Sequence, residues 1–119
     1  MRVNGIIPNL PVSDPAADRE FYTEFLQLDA AFEYGGVTGF ASPSNPAAQV
    51  NLRTRPTGSA ELDDPVISVQ VSDVKAAFAE AQRRGYEIVY PLTEEAFGPH
   101  RFYVRTPAGT VVNVIEHEN

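Results

Sequence analysis

Side chains suited to proton transfer crowd one stretch of this chain, where Glu94 and Glu95 precede His100, Arg101 and Tyr103. A histidine beside carboxylates and a phenol can do acid–base chemistry, because its charge changes near neutral pH. Glu94, Glu95, His100 and Tyr103 are therefore the candidate catalytic residues. The competing reading of His100 is an ordinary exposed strand histidine. The other histidine, His117, lies in Glu116-His117-Glu118 at the end of the chain, where a solvated tail is expected, and is given no role. The sequence contains no cysteine, which removes disulfides, zinc–thiolate sites, iron–sulfur clusters and thiol nucleophiles together. No phosphate-cradling loop, dinucleotide fingerprint, His-Glu-x-x-His pair or nucleophile elbow is present.

The elements that must position such residues can be read from periodicity. Gln49-Val50-Asn51-Leu52-Arg53 and Ile67-Ser68-Val69-Gln70-Val71 alternate polar with apolar, the signature of half-buried strands. Further strands are expected over 3–10, 28–34, 37–42, 86–92, 100–105 and 111–117, separated by turn signals such as Gly35-Gly36 and Pro107-Ala108-Gly109. The tripeptide Val12-Ser13-Asp14 returns as Val71-Ser72-Asp73, each copy after an apolar segment and before a helical pattern. In the first copy Asp14 suits an N-cap and Pro15 the first helical position, with Ala17, Phe21, Phe25 and Tyr22, Leu26 recurring at helical spacing over 15–27. In the second, Asp73 caps a helix over 74–84 with an Ala77, Phe78, Ala81 face, and Gly85 is placed to end it. Two β-α-β-β-β modules result, about 1–55 and 66–119, joined by a connector at about 55–65. A chain of 119 residues is expected to form one domain.

Composition narrows the partners. With 43% hydrophobic and 21% charged residues the chain should fold as an ordinary globular protein. No apolar run is long enough to span a bilayer and the N-terminus carries no signal-peptide stretch, so the expected location is cytoplasmic. A net charge of −7, with no cluster of Lys or Arg, argues against nucleic acid.

The segment Ile7-Pro8-Asn9-Leu10-Pro11-Val12-Ser13-Asp14, followed by Phe21-Tyr22 and Leu26, resembles the opening strand and helix of the vicinal oxygen chelate superfamily. That superfamily includes glyoxalase I, extradiol dioxygenases and bleomycin-resistance proteins. The tail Phe97-Gly98-Pro99-His100-Arg101-Phe102-Tyr103-Val104-Arg105-Thr106-Pro107-Ala108-Gly109 is similar to its aromatic-Gly segment, strand and Asp-Pro-x-Gly turn, with Thr106 where Asp is usual. The resemblance implies an α+β fold of two βαβββ modules, with curved mixed sheets around a concave groove and helices outside. It also implies four metal-ligand positions, which fall here on Ile7, Asn51, Val66 and Asn113. Two are hydrocarbon and two are neutral amides, so no metal and no other cofactor is expected.

Metal-free relatives bind ligands in the groove. With Asn51 and Asn113 facing it, alternation adds Gln49, Arg53, Ser68 and Gln70, with Tyr103 and the aromatic residues Phe32, Tyr34, Phe40 and Tyr90 available as walls. Val50, Leu52, Val112 and Val114 then face the helices. The same polar face would equally suit a wetted sheet with no ligand. Three functions stay open: a sequestering protein for a small organic ligand such as a drug or metabolite, a metal-independent lyase or isomerase, and a metal-dependent glyoxalase- or dioxygenase-like enzyme. The first is preferred, and the resemblance implies a homodimer.

Overall fold

The computed structural model describes residues 1–54, 63–96 and 98–117. Most of the connector, Phe97 of the aromatic-Gly segment and Glu118 of the tail lie outside the described residues. The strands are β1 (Val3–Val12), β2 (Asp29–Tyr34), β3 (Val37–Ala41), β4 (Gln49–Thr54), β5 (Ile67–Val71), β6 (Glu87–Glu94), β7 (His100–Arg105) and β8 (Val111–Glu116). The helices are α1 (Pro15–Glu20), which continues as a π-helical turn over Phe21–Phe25, and α2 (Val74–Arg83). The fold is thus α+β with two βαβββ modules, and the expected strands are each found within a few residues of their predicted ends.

Two compact units divide the described chain, one running from Ile7 through β4 and the other combining Met1–Ile6 with β5 onward. Each has the same mixed pairing. In the first unit β1 runs parallel to β4, β3 is antiparallel to β4, and β2 is antiparallel to β3 at the edge. In the second, β5 runs parallel to β8, β7 is antiparallel to β8, and β6 is antiparallel to β7 at the edge. Duplication of the tripeptide is therefore duplication of a whole pairing scheme.

Each module buries its own apolar cluster on the helix-bearing side. Phe40, Val50 and Leu52 form the first, with Val12, Tyr22 and Leu28 packed against them. Val71, Val74, Ala81 and Phe102 form the second, joined by Phe78, Val104 and Val114. Phe40 is accordingly not a groove aromatic. Its register with Val50 puts it on the helix side, where it is 1% exposed and stacks on Tyr22 at 5.4 Å between ring centroids.

The caps are those expected. Asp14 Oδ1 accepts from the Ala16 N–H at 3.0 Å and Asp73 Oδ1 from the Ala76 N–H at 3.0 Å. Gly85 adopts φ 74° just past α2, the left-handed conformation that ends a helix. A feature not expected is Glu116, the last residue of β8, whose Oε1 accepts from the Val74 N–H at 2.8 Å and so supplements the cap of α2. The Thr106 turn also keeps its hydrogen bond, with the Thr110 N–H donating to Thr106 Oγ1 at 3.2 Å, so threonine substitutes for aspartate there.

The first helix departs from expectation. A continuous α-helix to residue 27 would bury Phe21, Phe25 and Leu26 together with Tyr22. Instead the Leu26 N–H donates to the Phe21 carbonyl at 3.0 Å, five residues back, and Gln27 turns left-handed at φ 60°. The extra residue in that turn rotates the side chains beyond it by about 100° relative to an α-helix. Tyr22 alone reaches the core, and Phe21, Phe25 and Leu26 are 50%, 71% and 46% exposed.

Candidate functional site

Strand register brings the polar residues into one row per module, on the face away from the helices. In the first module the row is Asn9, Asn51, Gly39 and Phe32, taken across β1, β4, β3 and β2. In the second it is Ser68, Asn113, Tyr103 and Tyr90, across β5, β8, β7 and β6. The rows are structural equivalents. Even the irregularities correspond, since the edge-strand register shifts between Ala30 and Phe32 in one and between Ile88 and Tyr90 in the other.

The central amides make equivalent bonds. Asn51 Nδ2 donates to Asn9 Oδ1 at 3.0 Å, and Asn113 Nδ2 donates to Ser68 Oγ at 3.0 Å. Asn51 is 9% exposed and Asn113 5%, and the Oδ1 of each is buried with no hydrogen-bond partner among the described residues. Leaving a buried carbonyl unpaired costs about 1–3 kcal/mol, and these two stand at matched positions of the two modules. Asn9 is a site residue that the reading of strand faces misses. A signal for it exists, because Asn9 and Ser68 stand at the same distance before their tripeptides.

What surrounds each amide differs. In the first row β3 offers Gly39, and a side chain there would collide with the Phe32 ring, which lies directly over the glycine. In the second row Tyr103 occupies that position and packs on Tyr90, with ring centroids 5.0 Å apart. The Arg101 guanidinium lies 5.4 Å from the Tyr103 ring centre and 5.7 Å from that of Tyr90, within cation–π range. Tyr90 donates its hydroxyl to Glu95 Oε1 at 2.6 Å, and Arg101 Nε lies 3.3 Å from the same oxygen. Glu95 is therefore a partnered carboxylate that fixes the Tyr90 and Arg101 side chains.

The remaining candidates scatter over both faces. Arg53 shares the face of Asn51 and aligns with Pro11 and Val37, beside Tyr34 at the edge. Gln49 donates to the Pro46 carbonyl at 2.6 Å, which ties it to the preceding turn. Gln70 Oε1 lies 2.8 Å from where a Cβ on Gly5 would be, so glycine at residue 5 leaves room for that amide. His100 Nε2 is 3.6 Å from Glu94 Oε1, its partner across β6 and β7. Alternation along β7 sets His100 with Phe102 and Val104, on the face opposite Arg101 and Tyr103. The structure thus separates the sequence cluster into a His100–Glu94 pair and a Tyr103–Tyr90–Arg101–Glu95 group.

The four positions that resemblance assigns to metal ligands are Ile7, 4% exposed, Val66, and the two amides. Hydrocarbon donates nothing, and a neutral amide supplies no compensating charge, so this donor set does not fit a divalent transition ion. Among the described residues, no three His, Asp or Glu side chains converge as ligands elsewhere. Among the described residues, no helix is long and apolar enough to cross a membrane.

Comparison with known proteins agrees with this architecture. Comparison with curated proteins finds no match. Among solved structures, methylmalonyl-CoA epimerase from Mycobacterium tuberculosis is 20% identical with a TM-score of 0.74, covering 98% of this chain and 90% of that one. Methylmalonyl-CoA epimerase from Streptomyces coelicolor, in complex with 2-nitronate-propionyl-CoA, is 17% identical with a TM-score of 0.71, over 99% and 100%. A glyoxalase/bleomycin resistance protein/dioxygenase superfamily member from Vibrio splendidus is 17% identical with a TM-score of 0.67, over 93% and 97%. At such identities the likeness carries the fold alone. A family model matches residues 4–114, nearly the whole sequence, and on that match the chain belongs to the glyoxalase/bleomycin resistance protein/dioxygenase superfamily.

Proposed function

We propose that this protein is a single-domain, metal-independent cytoplasmic protein that binds a small organic molecule on an amide-bearing sheet face, as a bleomycin-resistance-like sequestering protein would. The observation that carries this reading is the donor set at the four family positions, two hydrocarbons and two buried amides with unpaired carbonyls. Residues placed to make the contacts are Gln49, Asn51, Arg53, Ser68, Gln70, Asn113 and Tyr103. Elemental analysis of protein purified without chelators should find no stoichiometric nickel, zinc, iron or manganese. Native mass spectrometry against a panel of polar aromatic compounds should find ones that are retained and not turned over. Stoichiometric metal lost on substitution of Asn51 or Asn113, or a panel with no retained compound, would reject the reading.

A second reading, a metal-independent lyase or isomerase, is favoured by the Tyr90–Glu95 hydrogen bond of 2.6 Å beside Tyr103 and by the fold shared with an epimerase. Here Glu94, Glu95, His100 and Tyr103 would supply acid–base groups, with the His100–Glu94 pair acting on the opposite sheet face. A turnover rate that varies with pH and is lost in Tyr103→Phe would establish it over simple binding.

Homodimerisation belongs to the same proposal. Its support is the exposed Phe21, Phe25 and Leu26, an apolar stripe of a kind that single soluble chains usually cover. Light scattering at micromolar concentration should give twice the 13.0 kDa chain mass. A monomer mass at every concentration would end the idea.

A further inference from the structure

The first module carries two unsatisfied groups of opposite character on one strand. Asn51 Oδ1 is a buried acceptor without a donor. Two residues along β4, on the same face, Arg53 is a half-buried cation with no carboxylate partner among the described residues. Their backbones are about 7 Å apart, the rise of two strand residues. Aromatic residues line the edge of both positions, Phe32 in the Asn51 row and Tyr34 in the Arg53 row. The second module differs, because its face arginines have carboxylates, Arg101 with Glu95 and Arg105 with Glu87 and Asp63.

We propose that the first module selects a flat aromatic compound bearing an N–H donor at one end, for Asn51 Oδ1, and a carboxylate at the other, for Arg53. This rests on the binding function proposed above and names its ligand class. The Asn51 Oδ1 atom can only accept, and one N–H of the same amide is already committed to Asn9, so at this atom a ligand N–H is favoured over a second carbonyl. A guanidinium offers a planar fork that matches a carboxylate in bidentate fashion. The net charge of −7 does not forbid the anion. Charges elsewhere on the surface are screened beyond about 8–10 Å, whereas Arg53 would act at contact. Phe32, packed against Gly39, and Tyr34, in register with Arg53 through Val37, are the aromatic residues on this side of the two positions, and glycine at residue 39 is what lets the Phe32 ring lie so close to the sheet beside Asn51.

The test uses three matched probes by titration calorimetry: 4-aminophenylacetate, which has both groups; phenylacetate, which lacks the donor; and 4-methylaniline, which lacks the acid. The bifunctional probe is expected to bind at least about tenfold more tightly than either truncated one, the gain from one charged or two neutral hydrogen bonds. Arg53→Gln should erase its advantage over 4-methylaniline, and Asn51→Leu its advantage over phenylacetate, each variant being checked for folding by circular dichroism. Should Asn51→Leu fail to fold, Arg53→Gln with all three probes still decides the charge half, and Asn51→Asp, which keeps the acceptor and adds negative charge, should favour the cationic 4-(aminomethyl)toluene over neutral 4-methylaniline. Equal binding of the three probes, no binding by any, or an advantage that survives Arg53→Gln overturns the inference. A panel compound retained on this face without an acid or an N–H would overturn it while leaving the binding function intact. Retained compounds whose affinity depends on none of Gln49, Asn51, Arg53, Ser68, Gln70, Asn113 and Tyr103 would instead overturn the binding function.

Discussion

Phe102→Ala should lower the free energy of unfolding by about 3–5 kcal/mol, the range for deleting a buried aromatic ring. Phe102 is 1% exposed and sits on β7, between β6 and β8, with its ring 5.0 Å from that of Phe78 in an edge-to-face contact at 72°. It meets Val71, Val74 and Ala81 from the strand and helix that open the second module. Nothing nearby can fill the space without distortion, because the neighbours belong to a strand ladder and a capped helix. Domains of this size are stable by only about 5–15 kcal/mol, so the loss takes a large share. Urea denaturation followed by circular dichroism should show a lower midpoint with an unchanged slope. A loss under about 1 kcal/mol would mean that the second module's core does not centre on Phe102.

Asn113→Leu and Asn51→Leu should each weaken binding of a retained compound by about 1–3 kcal/mol and change folding stability by less than about 1 kcal/mol. The two parts have separate causes. On the ligand side, a donor that had been satisfied by the amide carbonyl is left facing hydrocarbon. On the folding side, the substitution removes one hydrogen bond, to Asn9 or Ser68, and also removes an unpaired buried carbonyl, and these effects oppose each other. Val50→Ala is the control, expected to cost about 1–3 kcal/mol of stability without touching affinity, because Val50 belongs to the first core. Affinity unchanged by both Asn variants would leave the rows as a polar sheet face with no ligand role.

How much of the fold and site is legible in the sequence depends on the signal each feature leaves. The duplicated Val-Ser-Asp and the alternation in Gln49–Arg53 and Ile67–Val71 are periodic, so the modules, the helix caps and the strand faces can be read directly. Alternation also places Asn51 with Gln49 and Arg53, and the register agrees. The pairing Asn9–Asn51 and Ser68–Asn113 is a contact between strands distant in sequence, and only topology reveals it. The π-helical turn escapes because spacing cannot distinguish an α-turn from one holding an extra residue. Phe40 reads as a groove wall because aromaticity says nothing about which face of β3 it occupies. Gly39 reads as an ordinary strand glycine, since its purpose lies in the Phe32 ring across the ladder. Glu95 reads as catalytic beside His100, yet β7 alternation turns His100 the other way.

The bond from Glu116 to the first turn of α2 has a consequence for how the chain is made. In each module the first strand pairs in parallel with the last, so neither sheet can close until its fourth strand exists. The first module's closing strand ends at Thr54, before any of β5 has been synthesised. The second module's closing strand ends at Glu116, and the same residue completes the helix cap. During translation the first module can therefore assemble while the second is still being made, as N-terminal units generally do. The second must wait until Glu116 has cleared the ribosomal tunnel, leaving Val71, Phe78 and Phe102 uncovered until then.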